Sequence, residues 1–103
     1  MNALALRKRL KAAIQRAGEP YTPFGGAPRV AVFSAINRSA TLTYVPIEVV
    51  NELDRPILMA HAPWDDPTAK GVSLTWRART LKVQAVMDVR FAGETVARLF
   101  VTA

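Results

Sequence analysis

The sequence predicts a mainly β fold: a small antiparallel β-barrel or sandwich with an N-terminal amphipathic helix and a short helix near residues 46–53. Three observations predict it. From Thr80 to Phe91 apolar and polar residues alternate, with Leu81, Val83, Ala85, Met87, Val89 and Phe91 on one face. Thr80, Lys82, Gln84, Asp88 and Arg90 take the other face, and only Val86 breaks the rule. Strand side chains point alternately to opposite faces, so period two marks one dry face and one wet one. The runs on either side, Val72–Arg77 and Thr95–Thr102, are β-rich and set off by short breaks, which makes a three-stranded meander. The third observation is a change of period: residues 2 to about 17 repeat their apolar positions every three or four residues instead. A strand of about a dozen residues exceeds the common ~5–6, so it bends around a curved sheet or barrel.

Size and charge narrow the classes. A chain of 103 residues, half of them apolar, fits one domain with a thin core. The division expected is a basic helix over 1–18 and a β domain over 19–103. No cysteine is present, so no disulfide forms, as suits a reducing compartment or a particle assembled in one. No apolar run approaches the ~20 residues of a membrane span, and no secretory apolar region is visible. The net charge is +6, but Arg7, Lys8, Arg9, Lys11 and Arg16 all precede the first acid, Glu19. The positive field therefore belongs to one terminal element.

In chain order, the first helix carries an apolar stripe of Leu6, Leu10, Ala13, Ile14 and Ala17, extended by Ala3, with the basic residues on the opposite flank. Asn2 is placed to cap it and Gly18 to stop it. The basic flank has three readings: a solvated face, an organelle presequence (poor, for lack of Ser), or contact with phosphates or an acidic partner. Tyr21 to Pro28 is expected to be a linker, dense in Pro and Gly. Its Gly25-Gly26 pair is no phosphate loop, since no Gly-Lys-Ser/Thr follows. Arg29–Ile36 is the next strand, with either Val30 and Val32 or Ala31 and Phe33 inward. Asn37-Arg38-Ser39 reads as a loop, and Ala40–Val45 as a short strand or part of a mobile excursion. Pro46–Leu53 reads as a short helix with Pro46 in its first turn, Glu48 complementing its N-terminus and Arg55-Pro56 ending it. Ile57–Ala62 is an apolar strand, and residues 63–71 a long turn into the meander.

The residues for catalysis are sparse. His61 is the one histidine and sits in an apolar strand, where a packed or half-exposed role outweighs a ligand role. Asp65-Asp66 is the one close carboxylate pair; flanking prolines favour a turn-capping role over a cation site, which needs about six oxygens. Ser34, Ser39 and Ser73 lack the context of a nucleophile. The reading is a non-enzyme without metal or cofactor. Trp76-Arg77-Ala78-Arg79 and Arg90-Phe91 interleave aromatics and bases as single-strand binders do. Yet Trp76 and Phe91 are in phase with the inward residues, so core packing is the better account.

The order of several local patterns resembles a family of small tailed-phage proteins, the head-tail joining or head-completion (stopper) proteins of the lambda tail-attachment type. The patterns are Tyr21-Thr22-Pro23-Phe24-Gly25-Gly26 leading to Val32-Phe33-Ser34, then Arg55-Pro56-Ile57-Leu58 followed by Pro63 and Asp65-Asp66-Pro67. Gly71 then opens a strand ending Trp76-Arg77-Ala78-Arg79-Thr80-Leu81-Lys82-Val83, and a long terminal hairpin follows. Val72 stands where such proteins often carry Asp, and Ala78 where they often carry Gly. The resemblance implies a subunit of a ring at the head-tail interface of the virion, assembled in the host cytoplasm. That ring closes the DNA-filled head and docks the tail. The partners implied are a portal or adaptor ring, tail proteins and further copies of the chain, with contact to the portal or non-specific contact to DNA through Arg7, Lys8, Arg9, Lys11 and Arg16, and no membrane. It also implies a docking loop around Asn37, Arg38, Ser39 and Thr41, mobile in the free subunit, and open sheet edges for subunit contacts. A small nucleic-acid-binding β module with a basic arm, and a tail-terminator or tail-tube component, stand as alternatives.

Overall fold

The computed structural model describes residues 1–53 and 56–103. Six strands form an antiparallel sheet that closes on itself: β1 (Glu19–Pro23), β2 (Arg29–Ile36), β3 (Ile57–Pro63), β4 (Ser73–Trp76), β5 (Arg79–Phe91) and β6 (Glu94–Thr102). The order around the wall is β1-β2-β3-β6-β5-β4. The mainly β class and the meander of β4, β5 and β6 are as the alternation predicts.

Closure is uneven along the barrel. β2 pairs with β1 only through Arg29–Ala31 and with β3 through Val32–Ile36. β5 likewise pairs with β4 through Arg79–Lys82 and with β6 from Val83 onward. The two long strands thus bend from a four-stranded sheet, β2-β3-β6-β5, into a smaller one, and β1 meets β4 through Thr22 opposite Thr75 and Pro23 opposite Leu74.

Tyr21–Pro28 is not the linker that its prolines suggest. Its first half is strand β1, and Tyr21 is among the most buried side chains of the protein. Pro20 and Pro23 fit because each is paired on one side only, Pro20 with β2 and Pro23 with β4, an edge-like setting in which Pro is tolerated. The turn proper is Phe24-Gly25-Gly26, with Gly25 at φ +75°. In β2 the inward set is Ala31 and Phe33.

The interior cluster comprises Tyr21, Ala31, Leu58, Ala60, Ala62, Leu74, Trp76, Leu81, Val83 and Phe100, with Phe33 and Val86 packed against it. Phe33 stacks on Trp76 at 4.8 Å and meets Tyr21 edge-on at 5.8 Å. Strict alternation along β5 fails after Val83. Val83 lies opposite Thr102 and Ala85 opposite Val101, so Gln84 is an extra, bulged residue. A bulge advances the chain by one without advancing its partner and so exchanges the faces. Beyond it Val86, the exception in the sequence pattern, turns inward opposite Phe100, while Ala85 and Met87 join a second cluster on the outer face. Val89 and Phe91 end exposed, Phe91 by 42%. Core packing thus describes Trp76 and not Phe91.

The second cluster is Val45, Val50, Ile57, Met59 and Val101. Its cover is the segment between β2 and β3, which is helical: α2 (Arg38–Leu42) and α3 (Ile47–Val50). Neither the loop expected at 37–39 nor a strand at 40–45 forms. Asn37 instead caps α2, its Oδ1 accepting from Ala40 N at 2.8 Å. Helix α3 begins after Pro46 with Glu48 in its first turn, as expected; its proposed stop at Arg55-Pro56 falls partly outside the described residues.

The N-terminal helix, α1 (Ala3–Ala17), starts at Asn2, whose side chain accepts from Ala5 N at 2.8 Å, and ends at Gly18. It packs on β6, β3 and β2. Gly18 is required there by space, since a Cβ would lie 2.5 Å from Ile14 O and 2.6 Å from Val30 Cγ1. The buried stripe is rotated from the predicted one. Ala3 and Ile14 are buried and Leu6 and Leu10 partly so, but Ala13 and Ala17 face solvent.

Candidate functional site

The rotation of α1 divides its five cations. Arg7 and Lys11 face the barrel. The Arg7 guanidinium stacks on Trp64 at 4.0 Å, donates to the Thr95 carbonyl at 2.9 Å and pairs with Glu94 at 3.3 Å. Lys11 pairs with Asp65 at 2.5 Å. Both tie the helix down: a stacked, part-buried guanidinium is worth more than an exposed ion pair, which contributes about 0–1 kcal/mol. Lys8, Arg9 and Arg16 point to solvent within an arc of about 100°. Among the described residues no acid lies within 4 Å of these three. The charge available to a partner is therefore three cations rather than five, flanked by exposed Met1 and Leu4.

The segment expected to dock divides in a similar way. Asn37 is spent on the cap, and Thr41 is fully buried, its Oγ1 donating to the Asn37 carbonyl at 2.9 Å. Arg38 donates to Asn51 Oδ1 at 2.7 Å and links α2 to the end of α3. Ser39 alone of the four is exposed without a side-chain partner among the described residues. What this segment offers a partner is apolar: Leu42, Tyr44 and Ile47 are exposed on its outside. For Ile47 the signal was present in the sequence, since it lies off the Val49, Val50, Leu53 side of its short helix; for Leu42 and Tyr44, read as strand or excursion, it was not.

One end of the barrel is plugged by a polar network. Asp66 is buried, and its carboxylate accepts from the Tyr21 hydroxyl, from Thr68 Oγ1 at 2.7 Å and from Thr68 N at 2.9 Å. The last bond is the turn-capping role that its sequence context favours. Arg29 lies 3.6 Å from Asp66 and donates to Thr68 Oγ1 at 3.0 Å. Arg98 donates to the carbonyls of Asp66 and Thr68. Burial, and then the hydrogen bond to the Asp66 carboxylate, push the Tyr21 hydroxyl well above its ordinary pKa. The network consumes its own donors and acceptors. It fixes the 63–71 turn against β1, β2 and β6 and leaves no group aimed at a ligand.

Charge is balanced likewise in a cleft of about 520 Å³ between α1 and the β5–β6 tip. Arg98 and Arg90 both pair there with Asp88, at 3.3 and 3.8 Å, and Arg7 with Glu94. A second cleft of about 590 Å³, lined by Phe24, Gly71, Val72, Ser73 and Thr80, lies beside the 91%-exposed Phe24 ring. His61 is exposed on the outer face of β3. Among the described residues no three His, Cys, Asp or Glu side chains converge as metal ligands, and no helix is long and apolar enough to cross a membrane. Among the described residues the surface presents cations without an acidic partner on α1 (Lys8, Arg9, Arg16) and on the barrel and its 63–71 turn (Lys70, Arg79, Lys82), and exposed apolar groups on α2–α3 and at Phe24 and Phe91. No family model, curated protein or solved structure matches the chain.

Proposed function

We propose that the chain is a structural subunit of a tailed-phage connector. It joins head to tail and closes the DNA-filled head as a ring of copies at the head-tail interface, assembled in the host cytoplasm. One observation carries the reading: the buried Tyr21–Asp66–Thr68 cluster of the barrel is spent on its own hydrogen bonds, while Lys8, Arg9, Arg16 and the apolar Leu42, Tyr44 and Ile47 stand exposed on elements added outside it. Such a distribution suits a part whose product is shape and adhesion, because a catalytic site concentrates unsatisfied polar groups in a cleft. The ordered motifs that resemble stopper proteins supply the specific identity. The α2–α3 segment, with Leu42, Tyr44 and Ile47 outward, is the tail- or portal-docking element, and Lys8, Arg9 and Arg16 face an acidic surface of the portal or the packaged DNA.

The test is electron microscopy of particles made without this protein. Filled heads that leak DNA and carry no tails are expected; heads that keep their genome and join tails would remove the reading. The three free cations favour a second reading, a nucleic-acid-binding module. It requires affinity for DNA oligomers that falls steeply with salt, with a log–log slope near −3 if each cation meets one phosphate.

A further inference from the structure

We infer that a second copy of this chain docks edge to edge on the four-stranded sheet, β5 of one copy against β2 of the next. The inference rests on the ring reading and supplies its contact. In the sheet β2-β3-β6-β5 the two outer strands leave the closed wall halfway. Val32–Ile36 ladders only with β3, and Ala85–Phe91 only with β6. Among the described residues no other backbone hydrogen bond reaches either stretch. A bare strand edge is a row of donors and acceptors that templates further pairing, and proteins that avoid it place Lys, Pro or other charges there. Val32-Phe33-Ser34-Ala35-Ile36 carries none of these, and Ser34 and Ala35 are exposed.

The two edges match in direction and register, and on the β5 edge the charges Asp88 and Arg90 lie within pairing distance of each other and Asp88 pairs with Arg98. Every neighbouring pair in the sheet is antiparallel, so β2 and β5 run in opposite directions. A copy placed beside the sheet in the same orientation therefore sets its β2 antiparallel to the first copy's β5. The rows of the sheet fix the register as well. Ser34, Met59, Val101 and Ala85 form one row, and Val32, His61, Leu99 and Met87 another. Continuing them sets Ser34 of one copy beside Ala85 of the next and Val32 beside Met87. Such a contact is heterologous, with different patches on the two copies, and heterologous contacts propagate into rings when the rotation closes.

The chain has no cysteine, which allows a clean cross-linking test. Ser34→Cys and Ala85→Cys subunits are oxidised separately and as a mixture, with Met87→Cys replacing Ala85→Cys to catch a slip of two residues. A disulfide-linked pair is expected in a mixture at about tenfold the yield of any variant alone, the ratio given by ~1.4 kcal/mol between right and wrong pairings. Equal yields in mixtures and single variants would overturn the inference, as would Ser34→Cys linking to itself most efficiently. Circular dichroism of each variant confirms that it is folded. Particles complemented with Ser34→Lys separate this inference from the connector reading. Tail-less, leaking heads are expected; normal particles would overturn the edge contact and leave the connector reading intact.

Discussion

The interior cluster and the outer cluster share β3, β5 and β6, yet different things hold them. The interior one draws on all six strands and is enclosed by the wall, whereas the outer one has the sheet on one side and two short helices on the other. Helices of five and four residues have no stability of their own, because nucleation costs more than so few hydrogen bonds return. The cover therefore depends wholly on the sheet, whereas the sheet draws from the cover only the burial of Ile57, Met59 and Val101. The segment with exposed Leu42, Tyr44 and Ile47 is therefore the part of lowest local stability, able to open while the interior cluster stays packed.

The sharpest way to break this comparison is to empty each cluster in turn. Phe100 is fully buried at the centre of the interior, and Phe100→Ala is expected to cost about 3–5 kcal/mol, a large share of the stability of so small a domain. Met59→Ala in the outer cluster is expected at the low end for its class, about 2 kcal/mol, because α2 and α3 settle into the space. Denaturant midpoints check both. Equal costs would mean that the helices are as rigid as the wall.

A smaller and more discriminating effect concerns the bulge. Alternation alone makes Val89 a core residue and Val86 a surface one, and the structure exchanges them. Val86→Ala is expected to cost about 1–2 kcal/mol, and Val89→Ala to stay within about 0.5 kcal/mol of wild type. The reverse order would restore the unbulged strand. The pair also marks the limit of what was readable in advance. The helix, the meander and the closed or sandwiched β class follow from periodicity, which is local. Which face continues past Gln84 depends on a partner strand, β6, and one extra residue inverts the outcome without changing composition. Tyr21 was hidden for a related reason: prolines on both sides mimic a loop, and only pairing with β2 and β4 makes the segment a strand. Arg7 and Lys11 looked like exposed cations because the acids and the tryptophan that receive them lie more than fifty residues away.

The polar plug that seals the interior cluster adds a pH dependence. Burial and the Asp66 carboxylate raise the Tyr21 pKa from its ordinary value of 10.0. The unfolded chain therefore releases this proton first, and the contribution of Tyr21 is complete below about pH 10 and is lost as pH rises further. Tyr21→Phe removes the titration, and the lost hydrogen bond costs about 1 kcal/mol near neutrality. The stability gap between wild type and variant is then expected to narrow above pH 10, as measured by denaturation at a series of pH values. Every other titration is common to the two proteins and cancels from the difference.

The smallest expected effect tests how the wall of the interior cluster is joined. Both hairpins of the meander turn through two residues at positive φ: Arg77 and Ala78 at 47° and 61°, and Ala92 and Gly93 at 51° and 79°. That geometry matches the right-handed twist of the flanking strands. Gly93 adopts it freely, whereas Ala78 brings its Cβ close to the neighbouring carbonyl at a cost of roughly 1–2 kcal/mol. The strain persists because the turn's flanks are held in place. Trp76 is buried beside it, and Arg77 forms a bidentate pair with Glu19 at 2.5 and 2.6 Å, which also lowers the Glu19 pKa. Ala78→Gly relieves the strain but gives the unfolded chain more freedom, so a net gain of about 0.5–1 kcal/mol is expected. A loss on that substitution would mean that the Ala78 methyl packs usefully at the tip, and that the turn is a designed contact rather than a tolerated one.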